Sequence, residues 1–451
     1  MGPGFPAGFL WGAATAAYQV EGWPLADGAG ASIWHRFSHT PGRVANGDTG
    51  DLACDHYRRL DSDLDLMAEL GLGAYRFSVA WGRVLPEGRG AVNPKGLDFY
   101  ERLVDGLLAR GIAPMLTLYH WDLPAALHDR GGWLNPDSAD WFGDYAALLF
   151  RALGDRVGLW VTLNEPWVTT VPGYLEGDLA PGHRDLFEPP RVAHHLLLAH
   201  AEAVARCRSL GRGEIGIALN LEPQHQASAS PEDAAAAARR DAFVNRWFLD
   251  PLLLGRYPGE LAEIFGEAWI EPPESDLERI RAPLDFIGVN YYSRGLVRAE
   301  PAARPLGALR VTPSGVPLTA MDWEVYPAGM TETLLWFRDR YGNPPLYVTE
   351  NGAAFDDPPA VDGEVADPER VAYLRSHLGA GLAALRAGAD LRGWFVWSLF
   401  DNFEWAQGYA KRFGLYRVDP QTQVRTPKSS ARFYRELIRS GGAELDKAPG
   451  R

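Results

Sequence analysis

Two glutamates stand at the ends of apolar runs that read as buried strands. Glu165 lies in Val161-Thr162-Leu163-Asn164-Glu165-Pro166, and Glu350 lies in Leu346-Tyr347-Val348-Thr349-Glu350-Asn351-Gly352. A carboxylate beside a hydrophobic core is costly unless a partner or a reaction uses it. Two of them on separate strands suggest the paired acid and nucleophile chemistry that cleaves glycosidic bonds. Pro166 predicts an extended backbone at Glu165 and suits the first turn of a following helix. A protonated Glu165 could give its proton to a departing oxygen, its pKa raised by the charge of the second carboxylate. Glu350 needs the opposite treatment, because a nucleophile must stay ionised among cationic or hydroxyl donors. Arg76, read as the end of the second strand in Tyr75-Arg76-Phe77-Ser78, and Tyr292, just past Asn290, are candidate donors. The structural alternatives are a helix-capping or salt-bridged glutamate and packing roles for the arginine and tyrosine. Retention at the anomeric carbon requires carboxyl groups about 5–5.5 Å apart, inversion about 6.5–9.5 Å.

Polar and aromatic residues gather at other strand ends. Gln19 follows the first strand, His120-Trp121-Asp122 the third, and Trp397 lies near the last, ahead of Asp401-Asn402-Phe403-Glu404-Trp405. Gln and Glu can pair with adjacent sugar hydroxyls, and Trp faces stack on the apolar face of a pyranose. His120 reads as a hydroxyl-binding donor. His194 and His195 fall in an apolar helical pattern, and with no His-x-His or His-Glu-x-x-His spacing the sequence predicts no metal site. A Schiff-base barrel enzyme would need a lysine at a strand end, whereas Lys95, Lys411, Lys428 and Lys447 all lie outside the candidate strands.

Something must carry these residues to one place. Candidate strands recur at Phe9–Ala14, Ala74–Val79, Ala113–Tyr119, Gly158–Leu163, Ile215–Asn220, Leu284–Asn290, Leu346–Thr349 and Trp394–Leu399. Most are nearly continuous apolar runs, as expected of parallel strands covered on both faces. Between them Asp61–Leu70, Phe99–Leu108, Tyr145–Leu153, Arg191–Cys207, Thr331–Arg340 and Pro368–Arg386 have helical apolar spacing. Eight strands with intervening helices and no clear linker predict an α/β fold, one (β/α)8 TIM barrel spanning residues 1–451 with its core at about 9–437. A doubly wound sheet is the alternative, but no Gly-x-Gly-x-x-Gly follows an early strand. Long segments after the first, third and fourth strands, and from Tyr291 to Met330, would wall a deep pocket at the C-terminal mouth.

Bulk properties narrow the classes of function. The 451 residues are 46% hydrophobic, and 44 basic against 58 acidic side chains leave a net charge of −14, which disfavours nucleic-acid or anionic-membrane partners. The start lacks a basic segment followed by a long apolar run, and no 18-residue apolar stretch occurs, so a soluble cytoplasmic protein is expected. Cys54 and Cys207 have no metal or disulfide spacing and read as buried free thiols. The terminal Ala448-Pro449-Gly450-Arg451 is expected to fray.

From Phe9 to about Leu437 the chain resembles glycoside hydrolase family 1. The most specific segments are Phe9-Leu10-Trp11-Gly12-Ala13-Ala14-Thr15, Leu163-Asn164-Glu165-Pro166, Tyr347-Val348-Thr349-Glu350-Asn351-Gly352 and Trp397-Ser398-Leu399-Phe400-Asp401-Asn402-Phe403-Glu404-Trp405. The resemblance implies a retaining, exo-acting β-glycosidase for terminal β-D-glucosyl residues, with the pocket at the C-terminal mouth and no cofactor. It implies Glu165 as acid/base and Glu350 as nucleophile, with Arg76, Asn290 and Tyr292 supporting the latter. Gln19, His120, Trp121, Asn164, Trp397, Glu404, Trp405 and Phe413 would surround the sugar. Relatives that act on 6-phosphorylated sugars carry Ser and Tyr where Glu404 and Phe413 stand here. Lys411 matches their lysine, but a charged Glu404 would repel phosphate. Unphosphorylated O-glycosides are therefore expected, with β-galactosidase and β-fucosidase side activity and some transglycosylation.

Overall fold

The computed structural model describes residues 4–211 and 213–446, so the expected fraying of Ala448–Arg451 lies outside the described residues. Eight strands close into a parallel barrel: β1 (Leu10–Ala14), β2 (Ala74–Ser78), β3 (Ala113–Tyr119), β4 (Leu159–Asn164), β5 (Glu214–Asn220), β6 (Phe286–Asn290), β7 (Leu346–Asn351) and β8 (Leu391–Trp397). Their spatial order follows the chain, and β1 pairs with both β2 and β8 to complete the ring. Apolar residues run almost without interruption along these strands because both faces are covered, one by the barrel interior and the other by helices. Only a terminal residue of a strand, such as Glu214 or Asn220 of β5, or an occasional outward position such as Arg392, escapes full burial.

The main outer helices are α1 (Leu60–Leu70), α2 (Pro94–Ala109), α3 (Ser138–Leu153), α4 (Pro189–Leu210), α5 (Glu274–Ile280), α6 (Ala328–Tyr341), α7 (Pro368–Arg386) and α8 (Ser429–Arg439). In α2, Phe99, Leu103 and Leu107 recur at helical spacing and are buried, while the opposite face carries charge. It begins earlier than the apolar pattern because Pro94, whose fixed φ suits a first turn, sits at its start. Helix α8, outside the expected set, puts Ala431, Tyr434 and Leu437 on one buried face. The Tyr434 hydroxyl donates to the Gly12 carbonyl (2.8 Å), fastening the last helix to the first strand.

The mouth is more elaborate than expected. A long segment also follows β5, where the sequence reading placed none; it contains helices Pro231–Asp241, Trp247–Leu254 and Glu260–Phe265. Instead of an irregular run, the insertion after β6 forms strands Gly295–Ala299 and Ala308–Arg310, which join Gln224–Gln226 in a small sheet. That sheet has its own satellite core of Ala236, Ala237, Val297 and Ala308, separate from the main one. Both cysteines are buried, and among the described residues neither is in a disulfide. Among the described residues no helix is long and apolar enough to cross a membrane.

Candidate active site

Local irregularities at the C-terminal ends of β4 and β7 aim the two glutamates into the mouth. The β4–β5 register shifts between Val161 and Asn164, and the β6–β7 register shifts between Val348 and Glu350. Such interruptions of the ladder leave a residue unpaired and re-aim a side chain at the strand end. Glu165 does not have the extended backbone expected before proline; it is left-handed (φ 45°, ψ 62°) and leads into helix Pro166–Thr170. Its N–H still donates to the Ala218 carbonyl of β5 (2.9 Å), so sheet pairing holds this sparsely populated conformation. Trp121 and Trp405 also have positive φ at the mouth, 80° and 49°. Beyond Glu350 the chain must be glycine: a Cβ on Gly352 would lie 1.7 Å from the Trp397 carbonyl oxygen.

Asn164 is the hub of a buried network joining the carboxylates. Arg76 sits in the middle of β2, not at its end, and points through the barrel interior. One guanidinium nitrogen donates to Glu350 Oε1 (2.6 Å) and another to Asn164 Oδ1 (2.6 Å). Tyr292 donates its hydroxyl to Glu350 Oε2 (2.7 Å), so each nucleophile-candidate oxygen has its own donor. Asn290 donates to both Glu165 Oε1 (2.8 Å) and Asn164 Oδ1 (3.0 Å), and Thr349 fixes the Asn290 amide by donating to its Oδ1 (2.6 Å).

These environments separate the two acids. Burial, and secondarily the charge of Glu350, raises the Glu165 pKa to about 8. The expected order of causes is thus reversed: loss of water contributes more than the neighbouring carboxylate. Burial raises Glu350 as well, but Arg76, Tyr292 and Asn290 all oppose it. In the resting pair the shared proton belongs on Glu165, which lacks a cationic hydrogen-bond partner.

A cavity of about 240 Å³ opens beside this pair. Its walls include Glu165, Glu350, Tyr292 and Phe413 together with His120, Trp121, Trp397, Glu404 and Trp405. Gln19, Arg76 and Asn164 are buried behind that lining. Because Asn164 Oδ1 accepts from Arg76 and Asn290, its amide NH2 faces His120 Nε2 (3.0 Å). Nε2 is then an acceptor and Nδ1 carries the hydrogen, a buried donor without a protein partner. Burial, then the charge of Arg76, holds the imidazole well below its ordinary pKa, so it is neutral. Trp121 donates to the Asn164 carbonyl (2.9 Å) and packs 4.5 Å from Trp405.

Gln19 Nε2 donates to Asn402 Oδ1 and the Phe403 carbonyl (3.0 and 2.9 Å) and lies 3.4 Å from Glu404 Oε2, leaving Gln19 Oε1 without a protein partner. Glu404 is not the fixed anion expected from its type. Burial and the charge of Glu350 raise its pKa to about 8, so phosphate exclusion cannot rest on full charge at neutral pH. Lys411 is already engaged, its ammonium donating to the Ala320 carbonyl.

Trp323, Met321, Leu179 and Val168 also line the cavity, though the sequence reading did not single them out. Trp323 had a visible signal, a large aromatic in the Pro- and Gly-rich insertion after β6; the aliphatic residues had none. A second cavity of about 210 Å³ shares Glu165, Val168, Tyr292 and Trp323 with the first and extends past Trp167 towards Glu222, Arg240 and Arg310. His194 and His195 are satisfied in α4, by Tyr257 and Asp276 and by the Trp133 carbonyl respectively. Among the described residues no cluster of metal-ligating side chains converges on either cavity.

The sequence profile described as glycosyl hydrolase family 1 matches residues 2–443. A protein named beta-glucosidase A from Thermotoga maritima is 50% identical over 442 residues, covering 98% of this chain and 99% of its own. A 1,4-beta-D-glucan glucohydrolase from Thermotoga neapolitana is 48% identical, with 97% and 99% covered. The solved family 1 b-glucosidase from T. maritima in complex with isofagomine lactam superposes with a TM-score of 0.95 at 49% identity, covering 98% of this chain and 100% of that one.

Proposed function

The chain belongs to glycosyl hydrolase family 1, and we propose that it hydrolyses β-glucosides with retention, with Glu350 as its nucleophile and Glu165 as its acid/base. The observation that carries this assignment is the asymmetry of the pair. Glu350 is held by Arg76 and Tyr292, one donor on each oxygen, while Glu165 shares the same cavity with a pKa raised to about 8. Glu350 is therefore disposed to attack the anomeric carbon as an anion as Glu165 protonates the leaving oxygen. The bond to the sugar removes the charge of Glu350. That loss lowers the Glu165 pKa, and the same residue then takes a proton from incoming water.

The donor and acceptor left unpaired on His120 and Gln19, with Glu404, are suited to the hydroxyls of a terminal sugar, and Trp397, Trp405 and Trp121 to its apolar face. Phe413 and Asn164 complete the wall and its support. Glucose is the preferred sugar, with galactosides and fucosides as slower substrates. The cavity running past Trp167 and Trp323 suits aryl groups or further glucose units on the leaving-group side. Another sugar hydroxyl there would intercept the glycosyl-enzyme and give transglycosylation.

Initial rates on aryl β-glucoside, β-galactoside, β-fucoside and 6-phospho-β-glucoside, with proton NMR of the first-formed anomer, test this reading. Fast glucoside turnover yielding the β-anomer first is expected. An α-anomer first product, or equal efficiency on the phosphorylated sugar, would refute the mechanism or the specificity respectively.

A further inference from the structure

Away from the barrel mouth's reacting pair, His35 and His39 stand one helical turn apart at helix Ile33–Ser38 and its C-cap, and the following loop folds back to bring Asp51 against both. His39 Nε2 lies 3.0 Å from Asp51 Oδ2, His35 Nδ1 lies 3.6 Å from Asp51 Oδ1, and the three ligand atoms are all within 4.8 Å of one another. Ligands about 2.0–2.1 Å from a tetrahedral ion are separated by about 3.4 Å, so these spacings need only side-chain adjustment to enclose one. We propose that His35 Nδ1, His39 Nε2 and Asp51 form a binding site for one divalent transition-metal ion of the zinc class.

Two further features support the site. Both His39 nitrogens face acceptors, Nδ1 the His35 carbonyl (2.7 Å) and Nε2 the Asp51 carboxylate (3.0 Å), so a metal ion would take the place of the Nε2 hydrogen while the Nδ1–H stays anchored to the carbonyl and holds the ring in orientation. His35 Nδ1 is buried and has no hydrogen-bond partner. A nitrogen–nitrogen–carboxylate set favours Zn2+, Co2+ or Ni2+ over Ca2+ or Mg2+, with water completing the shell. The sequence reading expected no metal because the third ligand joins the helical pair only when the loop folds back.

The ion would clip together two segments that brace the active cavity. On the helix, Trp34 packs 4.5 Å from Trp405. On the loop, Asp48 accepts from the Tyr409 N–H (3.0 Å), and the Thr49 carbonyl accepts from the Tyr409 hydroxyl (2.8 Å). Both contacts reach the strip of chain that carries Glu404. Binding to the folded form alone must also raise the melting temperature.

Chelator-treated protein titrated with CoCl2 and with ZnCl2 tests the proposal, with wild type compared against His39→Ala and Asp51→Asn. Expected are one ion per chain, the visible bands of a low-coordinate Co2+, at least a tenfold loss of affinity in each variant, and a Zn2+-dependent rise in melting temperature confined to wild type. All three proteins should keep their metal-free turnover of an aryl β-glucoside, which separates this test from that of the catalytic reading. Absence of stoichiometric binding, or binding that both substitutions leave unchanged, would overturn it.

Discussion

Replacing Tyr292 with Phe isolates one bond of the catalytic pair. The ring packs 5.3 Å from Trp323 and 6.2 Å from Phe413, contacts that Phe retains, so the change removes only the hydroxyl that donates to Glu350 Oε2 at 2.7 Å. A hydrogen bond to a charged group contributes about 1.5–3 kcal/mol. The donor favours ionised Glu350, so removing it raises the pKa of that residue. At 1.36 kcal/mol per pH unit, the acidic limb of kcat/KM should move upward by about one to two units. Arg76 still holds Oε1, which places the expectation nearer the lower figure. The assay is kcat/KM against pH on an unactivated β-glucoside, with folding checked by thermal melting. An acidic limb that stays put or moves downward in a well-folded variant would refute the proposed role of Tyr292 in keeping Glu350 ionised.

Three other substitutions probe different parts of the architecture. Glu165→Gln should lower kcat/KM by about 10²–10⁴-fold on poor leaving groups and far less on activated ones, and should abolish the alkaline limb associated with a pKa of about 8; equal losses on both substrate types would contradict the acid role. Trp323→Ala should weaken substrates with a bulky leaving group by about 1–3 kcal/mol in kcat/KM while sparing small ones, measured across an aryl and alkyl series; a uniform loss would remove Trp323 from the leaving-group side. Lys428, buried between Asp357 and Asp401 at 2.6 and 2.7 Å, neutralises the base of the segment carrying Glu404. Lys428→Met should cost about 3–5 kcal/mol, or about 3–5 °C in melting temperature at about 2.1 cal/mol/K per residue; an unchanged melting curve would show that the buried charges find other compensation.

The barrel was legible because its strands are buried on both faces and therefore appear as apolar runs. The interval from Ala113 to Tyr119 matches β3 end for end. Periodicity also exposed the longer helices, but the first turn of α2 was missed because Pro94 starts it ahead of the apolar stripe, and α3 was begun only at Tyr145 although Trp141 and Phe142 already belong to its buried face. The insertion after β6 was opaque because its strands are short and their partner, Gln224–Gln226, lies far back in the chain. At the site, residue types pointed to Glu165 and Glu350, yet nothing local in the sequence signals the left-handed backbone of Glu165, which depends on its bond to Ala218. Nor could the sequence order the causes of a pKa, since burial of Glu165 and Glu404 is created by remote walls. Asn164 was visible as a neighbour of Glu165; its place between Arg76, Asn290 and His120 exists only once four strands close side by side in the barrel.

The most direct measurement traps the sugar on the protein. Incubation with a 2-deoxy-2-fluoro-β-glucosyl donor that has an activated leaving group, followed by intact-mass and peptide analysis, reports which side chain forms the covalent bond. A single adduct on Glu350, absent from Glu350→Ala and still formed by Glu165→Ala, is predicted. A stable adduct on any other residue, or turnover with no trappable adduct, would contradict the division of labour between these two glutamates.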